Sequence, residues 1–211
     1  MKNILSLFDG MSGAQIALNK AGIKYNNYYA SEIDKYARAD TQFRFPDTIQ
    51  LGDISKINVS DLPKIDLLIG GSPCQGFSFA GKQLNFEDSR SKLFFEYVKV
   101  LEEAKPKWFL FENVVMKKEY QTIISEHLGV KPVMVNSALV SAQSRKRLYW
   151  TNIPFEMPED KGIILDNILI DAESERMKSY CIDANYFKTS NSNPNWYLKK
   201  SRRQIVFEKP H

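Results

Sequence analysis

The chain has 211 residues, a formal net charge of +4 and a pI near 8.9, with 43% hydrophobic and 26% charged residues. This balance is typical of a soluble globular protein with one well-buried domain, and no apolar run reaches the ~20 residues of a membrane span. Asp9 interrupts the first apolar run too early for a secretory signal, so we expect a cytoplasmic protein. Two cysteines, Cys74 and Cys181, exclude a disulfide framework. The histidines His127 and His211 lack neighbours at metal-ligand spacing, so we expect no metal.

Short apolar runs alternate with amphipathic stretches through the first part of the chain. The pattern predicts strands over residues 3–8, 28–31, 50–51, 65–69 and 108–111. It predicts helices over residues 14–21, 34–43 and 89–104. This alternation predicts an α/β fold with a doubly wound, mostly parallel sheet, in which ligands bind at the carboxyl ends of the strands.

The pattern changes in the later part of the chain. Strands are predicted within residues 131–140 and 149–153, and residues 164–169 resemble a helix. The sequence beyond Tyr180 is polar and loop-like. We expect the main domain to cover residues 1–154, followed by a short variable region over residues 155–211.

Polar residues at the strand ends are candidates for a cofactor site. Residues 8–13 form a glycine turn that leads into a helix, where the backbone can approach a ligand closely. This turn matches neither the dinucleotide nor the phosphate-loop spacing. Glu32 follows the next strand and suits the two hydroxyls of a ribose. Asp53 follows the third strand and could accept a hydrogen bond from an adenine amino group. Together they indicate an adenosine-bearing cofactor, although either acidic residue taken alone could be a cap or turn residue.

Four further residues could carry the chemistry. Cys74 lies in a Gly- and Ser-rich loop after a strand, which is a poor place to bury a small apolar side chain and a good place to activate a thiolate. Glu112 follows an apolar strand and could hold or donate a proton near neutrality. Arg145 and Arg147 project to the same face of an extended segment and could bind a carboxylate, a phosphate or a pyrimidine carbonyl. The alternatives are a strand-end salt bridge for Glu112 and a basic surface turn for the arginines.

Taken together, these segments resemble the cytosine-5 DNA methyltransferase family over almost all of residues 3–154. The motifs that carry the resemblance, in chain order, are Leu7-Phe8-Asp9-Gly10, Ser31-Glu32, Gly52-Asp53, Gly70-Gly71-Ser72-Pro73-Cys74, Phe111-Glu112-Asn113-Val114, and Arg145 with Arg147. In the finer details of these segments, the sequence most resembles the animal de novo enzymes and their phage or bacterial relatives. The resemblance implies a Rossmann-like fold that uses S-adenosylmethionine and releases S-adenosylhomocysteine.

The resemblance also implies a role for each site residue. Cys74 would attack C6 of a cytosine flipped out of duplex DNA, and Glu112 would bind the N3 and amino edge of that base. Arg145 would hold the base carbonyl, and Arg147 would support the geometry of Cys74 and Glu112. The residues that the resemblance places at the cofactor are Phe8, Asp9, Gly10, Ser12, Gly13, Glu32, Ile33, Asp53, Ile54, Pro73 and Leu93. Those expected at the DNA are Ser78, Lys199, Lys200, Arg202 and Arg203.

Residues 155–211 depart from the family pattern. They resemble the variable, DNA-reading region, and the two terminal family motifs are not found there. We therefore expect a truncated or split enzyme, with a second chain or domain supplying those motifs, or a subunit that binds DNA or a partner without activity alone. Methylation of tRNA is a further alternative, although relatives acting on tRNA usually carry Pro-Pro-Cys where this chain has Ser72-Pro73-Cys74. A small-molecule methyltransferase is the least supported reading, because such sites rarely need a cysteine with paired arginines.

Overall fold

The computed structural model of the chain describes residues 2–73, 89–181 and 206–208. Its strands are β1 (Asn3–Leu7), β2 (Asn27–Ser31), β3 (Ile49–Gln50), β4 (Leu67–Gly70), β5 (Trp108–Val114), β6 (Val133–Asn136), β7 (Lys146–Thr151), β8 (Ala172–Ser174) and β9 (Val206–Glu208). Its helices are α1 (Gly13–Lys20), α2 (Lys35–Arg44), α3 (Ser89–Ala104) and α4 (Lys118–Leu128). Within these described ranges, no helix is long and apolar enough to span a membrane.

Seven of the strands form one sheet in the order β3-β2-β1-β4-β5-β7-β6, and β8 and β9 form a separate antiparallel ribbon. The pairs β1–β2, β2–β3, β1–β4 and β4–β5 are all parallel. The strand order therefore reverses between β1 and β4, where Leu7 pairs with Gly70. This reversal is the switch point at which open parallel sheets bind their ligands. The predicted α/β fold with a mostly parallel sheet is confirmed.

The core lies on both faces of the central strands. All five residues of β1 are buried, as expected of a strand with a parallel neighbour on each side. On one face, Phe111 of β5 packs edge-on against Phe94 of α3, with ring centroids 5.5 Å apart. On the other face, Leu18 of α1 belongs to a cluster with Ile4 and Leu67. Each fully buried side chain of this kind stabilises the fold by about 1.5–3 kcal/mol.

Several elements differ from the sequence prediction, among them α4, where no helix was predicted. β5 continues to Val114, so Glu112 and Asn113 lie within the strand and not after it. The strand continues because Asn113, like Phe109 and Phe111, points to the buried face. The helix-like stretch at residues 164–169 contains one 3-10 turn, Leu165–Asn167. The predicted strand at residues 131–140 is β6 followed by a second such turn, Ser137–Leu139.

The chain divides into two compact units. The first comprises residues 1–133 and 148–155, and the second comprises residues 134–147 and 156–211. The first unit holds β1 to β5 and all four helices, and the second holds the 3-10 turns at Ser137–Leu139 and Leu165–Asn167 with the β8–β9 ribbon. The expected division into a catalytic domain and a variable region at residue 154 stays a prediction.

Candidate active site

The sheet brings the three candidate cofactor positions to one edge of the first unit. Leu7 at the end of β1 pairs with Ser31 at the end of β2, and Ala30 of β2 pairs with Gln50 of β3. Because the three strands are parallel neighbours, the segments that follow them emerge side by side. Asp9, Glu32 and Asp53 lie in those three segments.

The turn after β1 has an unusual backbone. Phe8, Gly10 and Ser12 all adopt left-handed conformations, with φ of 57°, 56° and 55°. A non-glycine residue held in this region costs about 1–3 kcal/mol and persists only where its surroundings impose it. Those surroundings include Asp9, whose backbone N–H donates to Ser31 at 3.0 Å and whose carbonyl accepts from Ser12 at 3.1 Å. The strain is therefore concentrated in the turn that the sequence singles out.

Glu32 ties this turn to the start of α2. Its Oε2 accepts from the Gly10 backbone N–H at 2.8 Å. Its Oε1 accepts from the Ile33 and Asp34 backbone N–H groups, both at 2.8 Å. Asp34 in turn caps α2 by accepting from the N–H groups of Tyr36 and Ala37. A half-buried carboxylate thus organises two strand-end loops at once. The side chain of the adjacent Ile33 is 75% exposed.

Asp9 belongs to a hydrogen-bond network that the sequence did not predict. Its Oδ1 accepts from the Tyr28 hydroxyl at 2.7 Å, and its Oδ2 accepts from the Ser12 hydroxyl. Gln15 of α1 donates to Ser12 and, at 2.7 Å, to the Thr48 hydroxyl. Burial, with the nearby Asp9 charge as the second cause, raises the pKa of Tyr28 well above its usual range. Tyr28 therefore remains a donor to Asp9 at any physiological pH.

Asp53 begins the short 3-10 turn Ile54–Lys56. Its Oδ1 accepts from the Ser55 backbone N–H at 3.0 Å and from the Ser55 hydroxyl at 2.9 Å. These two bonds lower the pKa of the Asp53 carboxyl. Gly52 before it has a φ of 75°, and its carbonyl accepts from the Ser31 hydroxyl at 2.8 Å. The capping role that the sequence allows for Asp53 is thus observed, and Ile54 is buried in the main core cluster.

The segment after β4 packs tightly against β5. A Cβ atom on Gly71 would lie 2.9 Å from the Glu112 carbonyl oxygen and 3.0 Å from Glu112 Oε2. A Cβ atom on Gly70 would lie 2.8 Å from the Tyr97 ring and 3.1 Å from the Leu7 carbonyl oxygen. The distances of 2.9 Å at Gly71 and 2.8 Å at Gly70 are shorter than real Cβ contacts, so any residue other than glycine would force its neighbours to shift. The absence of side chains at these two positions therefore allows the base of the Cys74 loop to contact Glu112.

Asn113 fixes the next residue of this loop. It is buried, and its Nδ2 donates to the Ser72 carbonyl oxygen at 3.2 Å. Its Oδ1 accepts from the Val114 backbone N–H at 2.8 Å. The Glu112-Asn113 pair thus supports the loop from β5, with the first residue against Gly71 and the second bonded to Ser72.

The positions of four further predicted residues can be stated briefly, and six predicted residues lie outside the described ranges. Phe8 and Leu93 are partly buried against the main core cluster, Gly13 begins α1, and Pro73 is exposed. The residues outside the described ranges are Cys74, Ser78, Lys199, Lys200, Arg202 and Arg203. The roles expected of all of these residues stay predictions.

The predicted arginines belong to the second unit. Arg145 is exposed, its backbone N–H donates to Asn136 Oδ1 at 2.9 Å, and its guanidinium donates to Cys181 Sγ at 3.1 Å. Arg147 lies in β7 and donates to the Lys146 carbonyl oxygen at 2.8 Å. Arg147 alternates with the buried Leu148 of the same strand. No cluster of three or more potential metal ligands occurs in the part of the chain that the structure describes.

Residues 2–203 match the family described as C-5 cytosine-specific DNA methylase. The chain is 47% identical over 182 residues to the orphan methyltransferase M.SPRI of Bacillus phage SPR, covering 77% of this chain and 40% of that protein. It is 44% identical over 182 residues to the type II methyltransferase M.HaeII of Haemophilus aegyptius, covering 78% of this chain and 56% of that protein. The chain thus spans about half the length of these curated relatives.

A solved structure has the same fold. The DNMT2 of Spodoptera frugiperda superposes with a TM-score of 0.64 at 24% identity, over 81% of this chain and 60% of that one. At this identity the likeness shows the fold alone, which is the Rossmann-like methyltransferase fold that the motifs imply.

Proposed function

Because the chain belongs to the C-5 cytosine-specific DNA methylase family, we propose that it methylates C5 of a cytosine flipped out of duplex DNA. The observation that carries this proposal is the contact between Gly71 and Glu112, in which an added Cβ would lie 3.0 Å from the carboxylate. This contact joins the loop of the candidate nucleophile Cys74 to the carboxyl group expected to bind the base. A nucleophile and a proton-holding group supported by adjacent strands can act on one ring.

In the proposed reaction, the Cys74 thiolate forms a bond to C6 of the cytosine. The electron pair of the C5–C6 double bond moves towards N3, where Glu112 holds a proton against the developing negative charge. C5 becomes nucleophilic as a result. Once that electron pair has formed the bond from C5 to the transferred methyl group, a base removes the C5 proton. The electron pair of the C5–H bond then re-forms the C5–C6 double bond, and Cys74 leaves as a thiolate with the electron pair of the C6–S bond.

The residues present at the strand-end edge fit S-adenosylmethionine. When bound, this cofactor supplies an electrophilic methyl group and leaves as S-adenosylhomocysteine. Added Cβ atoms on Gly10 and Gly13 would meet nothing within 4 Å, which indicates room for a ligand against this backbone. Glu32 anchors the turn through the bond from the Gly10 N–H, and its half-buried carboxylate suits ribose hydroxyls. The residues proposed to hold the cofactor are Phe8, Asp9, Gly10, Ser12, Gly13, Glu32, Ile33, Asp53, Ile54, Pro73 and Leu93.

The proposed partner is duplex DNA. The family description, which names DNA, supports DNA over tRNA. Arg145 is proposed to hold the base carbonyl and Arg147 to support the reacting groups. Residues 155–211 are proposed as the variable, DNA-reading region, with Ser78, Lys199, Lys200, Arg202 and Arg203 as DNA contacts.

A second candidate function follows from the share of its relatives' length that the chain covers, which is 40% for M.SPRI and 56% for M.HaeII. In that case the protein binds DNA or a partner, and a second chain or domain is required for methylation. Weak cofactor retention by this chain alone would favour this candidate.

A covalent trapping experiment tests the main proposal. The protein is incubated with tritiated S-adenosylmethionine and a duplex containing 5-fluorocytosine, whose fluorine blocks the final elimination. We expect a stable protein–DNA complex that Cys74→Ser abolishes. Cys181→Ser is the matched control, because it removes the other cysteine of the chain and keeps a hydrogen-bond acceptor for Arg145.

The other outcomes separate the alternatives. Absence of trapping while S-adenosylhomocysteine still binds would overturn methylation by this chain, and absence of trapping together with weak S-adenosylhomocysteine binding would favour the second candidate. Methyl transfer to a tRNA transcript, with none to DNA, would favour the tRNA reading.

A further inference from the structure

A short segment of the second unit runs beside the segment that leads to Arg145. We call residues 178–181 the strap. Its Ser179 donates from the backbone to the Ala142 carbonyl at 2.7 Å and accepts from the Ser144 backbone N–H at 3.0 Å. Gln143 and Ser179 form a parallel bridge between the two segments. The strap is therefore paired with the three residues immediately before Arg145.

Lys178, at the start of the strap, is bonded to three backbone carbonyl oxygens. Its Nζ donates to Ala138 at 2.7 Å, to Ser141 at 3.1 Å and to Ile163 at 2.5 Å. An ammonium group has three N–H donors, so all three are used here. Lys178 is half-buried, and these bonds are charge-assisted and stronger than bonds between neutral groups. This lysine therefore holds the turn that precedes Arg145 and does not belong to a solvated charged face.

The other end of the strap reaches Arg145 itself. Cys181 Sγ accepts from the Arg145 guanidinium at 3.1 Å. The Arg145 main chain is fixed on the far side, where its N–H donates to Asn136 Oδ1 and its carbonyl accepts from Ser137 at 3.1 Å. Both the backbone and the guanidinium of Arg145 are thus held by residues of one compact unit.

We propose that Lys178 is a positioning residue that acts through the strap to hold Arg145 in the orientation in which it binds the target base. This inference rests on the proposed function of Arg145. Lysine suits the position because a compact ammonium can point its three donors at three converging carbonyls, whereas a planar guanidinium cannot. Loss of the ammonium frees the turn at residues 138–141 and, with it, the pairing that aligns Arg145.

The test compares the rate of covalent trapping on the 5-fluorocytosine duplex among variants of the full chain. Lys178→Met is expected to slow trapping by about tenfold, because a small displacement of a positioning group has a large effect on rate. Lys178→Arg keeps the charge and is expected to recover part of that loss. Lys131→Met is the matched control, since it removes an exposed lysine outside the proposed DNA-reading region and should leave the rate unchanged.

A second comparison separates positioning from general stability. In an Arg145→Ala background, Lys178→Met should have no further effect on trapping, because residues that act as one unit are not additive. If Lys178→Met only destabilised the fold, it would instead slow trapping equally in the wild-type and Arg145→Ala chains. Amide hydrogen exchange at Ser144 and Ser179 should rise in Lys178→Met, while the affinity for S-adenosylhomocysteine stays that of the unsubstituted chain.

Trapping by Lys178→Met at the wild-type rate, or additive losses in the double variant, would overturn this proposal and leave the proposed function intact. Absence of trapping with the wild-type chain would overturn the proposed function, and the catalytic role of the strap with it.

Discussion

The two ends of the parallel strands in the first unit are built differently. At the carboxyl ends, Phe8 and Ser12 hold left-handed backbone conformations, and a carboxylate, Asp9, accepts from a buried tyrosine. At the amino ends, the buried Asn3 and the half-buried Asp66 make ordinary hydrogen bonds. Side chains support the backbone at both ends. Two left-handed non-glycine residues follow β1 at its carboxyl end, whereas Lys105, the left-handed residue that precedes β5, directly follows the last residue of α3. Strain of this kind is retained where the geometry serves a function.

The amino ends show what strand-end hydrogen bonding achieves without such strain. Asp66 Oδ2 accepts from the backbone N–H groups of Lys2 at 2.6 Å and Asn3 at 3.0 Å. The Asn3 side chain donates to the Lys64 carbonyl at 2.9 Å and accepts from Asn27 at 2.8 Å. These contacts align β1 with β2 and β4 and need no left-handed residue. The comparison therefore predicts that substitutions at the carboxyl ends affect S-adenosylhomocysteine affinity and trapping rate. Substitutions at the amino ends should affect only the free energy of unfolding.

Gly71→Ala should have the largest effect at the carboxyl ends. The added Cβ would lie 2.9 Å from a backbone oxygen of Glu112, and no rotation of a side chain can relieve that contact. The loop and the carboxylate must separate, and we expect the trapping rate to fall by about a hundredfold. S-adenosylhomocysteine affinity, measured by calorimetry, serves as the internal control and should change little. A normal trapping rate in Gly71→Ala would contradict the role given to this contact.

The sequence predicted much of this arrangement, for identifiable reasons. The alternation of apolar runs and amphipathic stretches predicted the parallel sheet, and the order of the motifs predicted the family, and both predictions are confirmed. The parallel sheet in turn implies that Asp9, Glu32 and Asp53 share one edge, because parallel strands have their carboxyl ends together. These inferences need local pattern alone.

The contacts that the sequence could not predict are distant in the chain or depend on backbone conformation. Lys178 and Ala138 are 40 residues apart, and no local pattern marks their pairing. The left-handed conformation of Phe8 is set by neighbouring strands, since phenylalanine has no intrinsic preference for it. Glu112 was expected after β5 because the apolar run stops at Phe111. The alternation of exposed and buried positions nevertheless continues along the strand, because the polar amide of Asn113 occupies the next buried position.

Glu32→Gln should have the second largest effect, and it tests whether the carboxylate organises the cofactor edge. A glutamine has one oxygen in place of two, so its NH2 group would face either the Gly10 N–H or the N–H groups of Ile33 and Asp34. Loss of the charge-assisted bonds should cost about 1–2 kcal/mol, which corresponds to roughly tenfold in S-adenosylhomocysteine affinity. Isothermal titration measures this change. Equal affinity in the variant would limit Glu32 to holding the two strand-end loops together.

Tyr28→Phe is expected to have a smaller effect, at the same edge. The variant keeps the buried ring and removes the hydroxyl that donates to Asp9 Oδ1 at 2.7 Å. We expect a loss of about 1 kcal/mol in the free energy of unfolding, measured by urea denaturation. Burial raises the pKa of Tyr28 far above neutrality, so the hydroxyl stays protonated and the loss should be the same at pH 6 and pH 9. Tyr36→Phe removes a hydroxyl from an exposed ring of α2 and is the matched control.

Asp66→Asn should have the smallest effect, and it tests the amino ends. Hydrogen bonds from the backbone N–H groups of Asn3 and Lys2 lower the pKa of the Asp66 carboxyl. A carboxyl whose pKa is lower in the folded chain stabilises the fold fully above its unfolded pKa of about 4 and loses that contribution as pH falls through the folded pKa. Asp66 is only half-buried, so screening by solvent should keep the loss in Asp66→Asn below about 1 kcal/mol at pH 7.

The stability difference between Asp66→Asn and the unsubstituted chain should therefore shrink as the pH falls below about 4 and through the lowered pKa of folded Asp66, below which both chains carry a neutral side chain at this position. S-adenosylhomocysteine affinity and trapping rate at pH 7 should match those of the unsubstituted chain, because the bonds made by Asp66 lie at the ends of β1 and β4 remote from the Gly10 turn and Gly71. A fall in either would mean that the two ends of the strands are coupled, and that the strain at Phe8 and Ser12 depends on how β1 is anchored at its start.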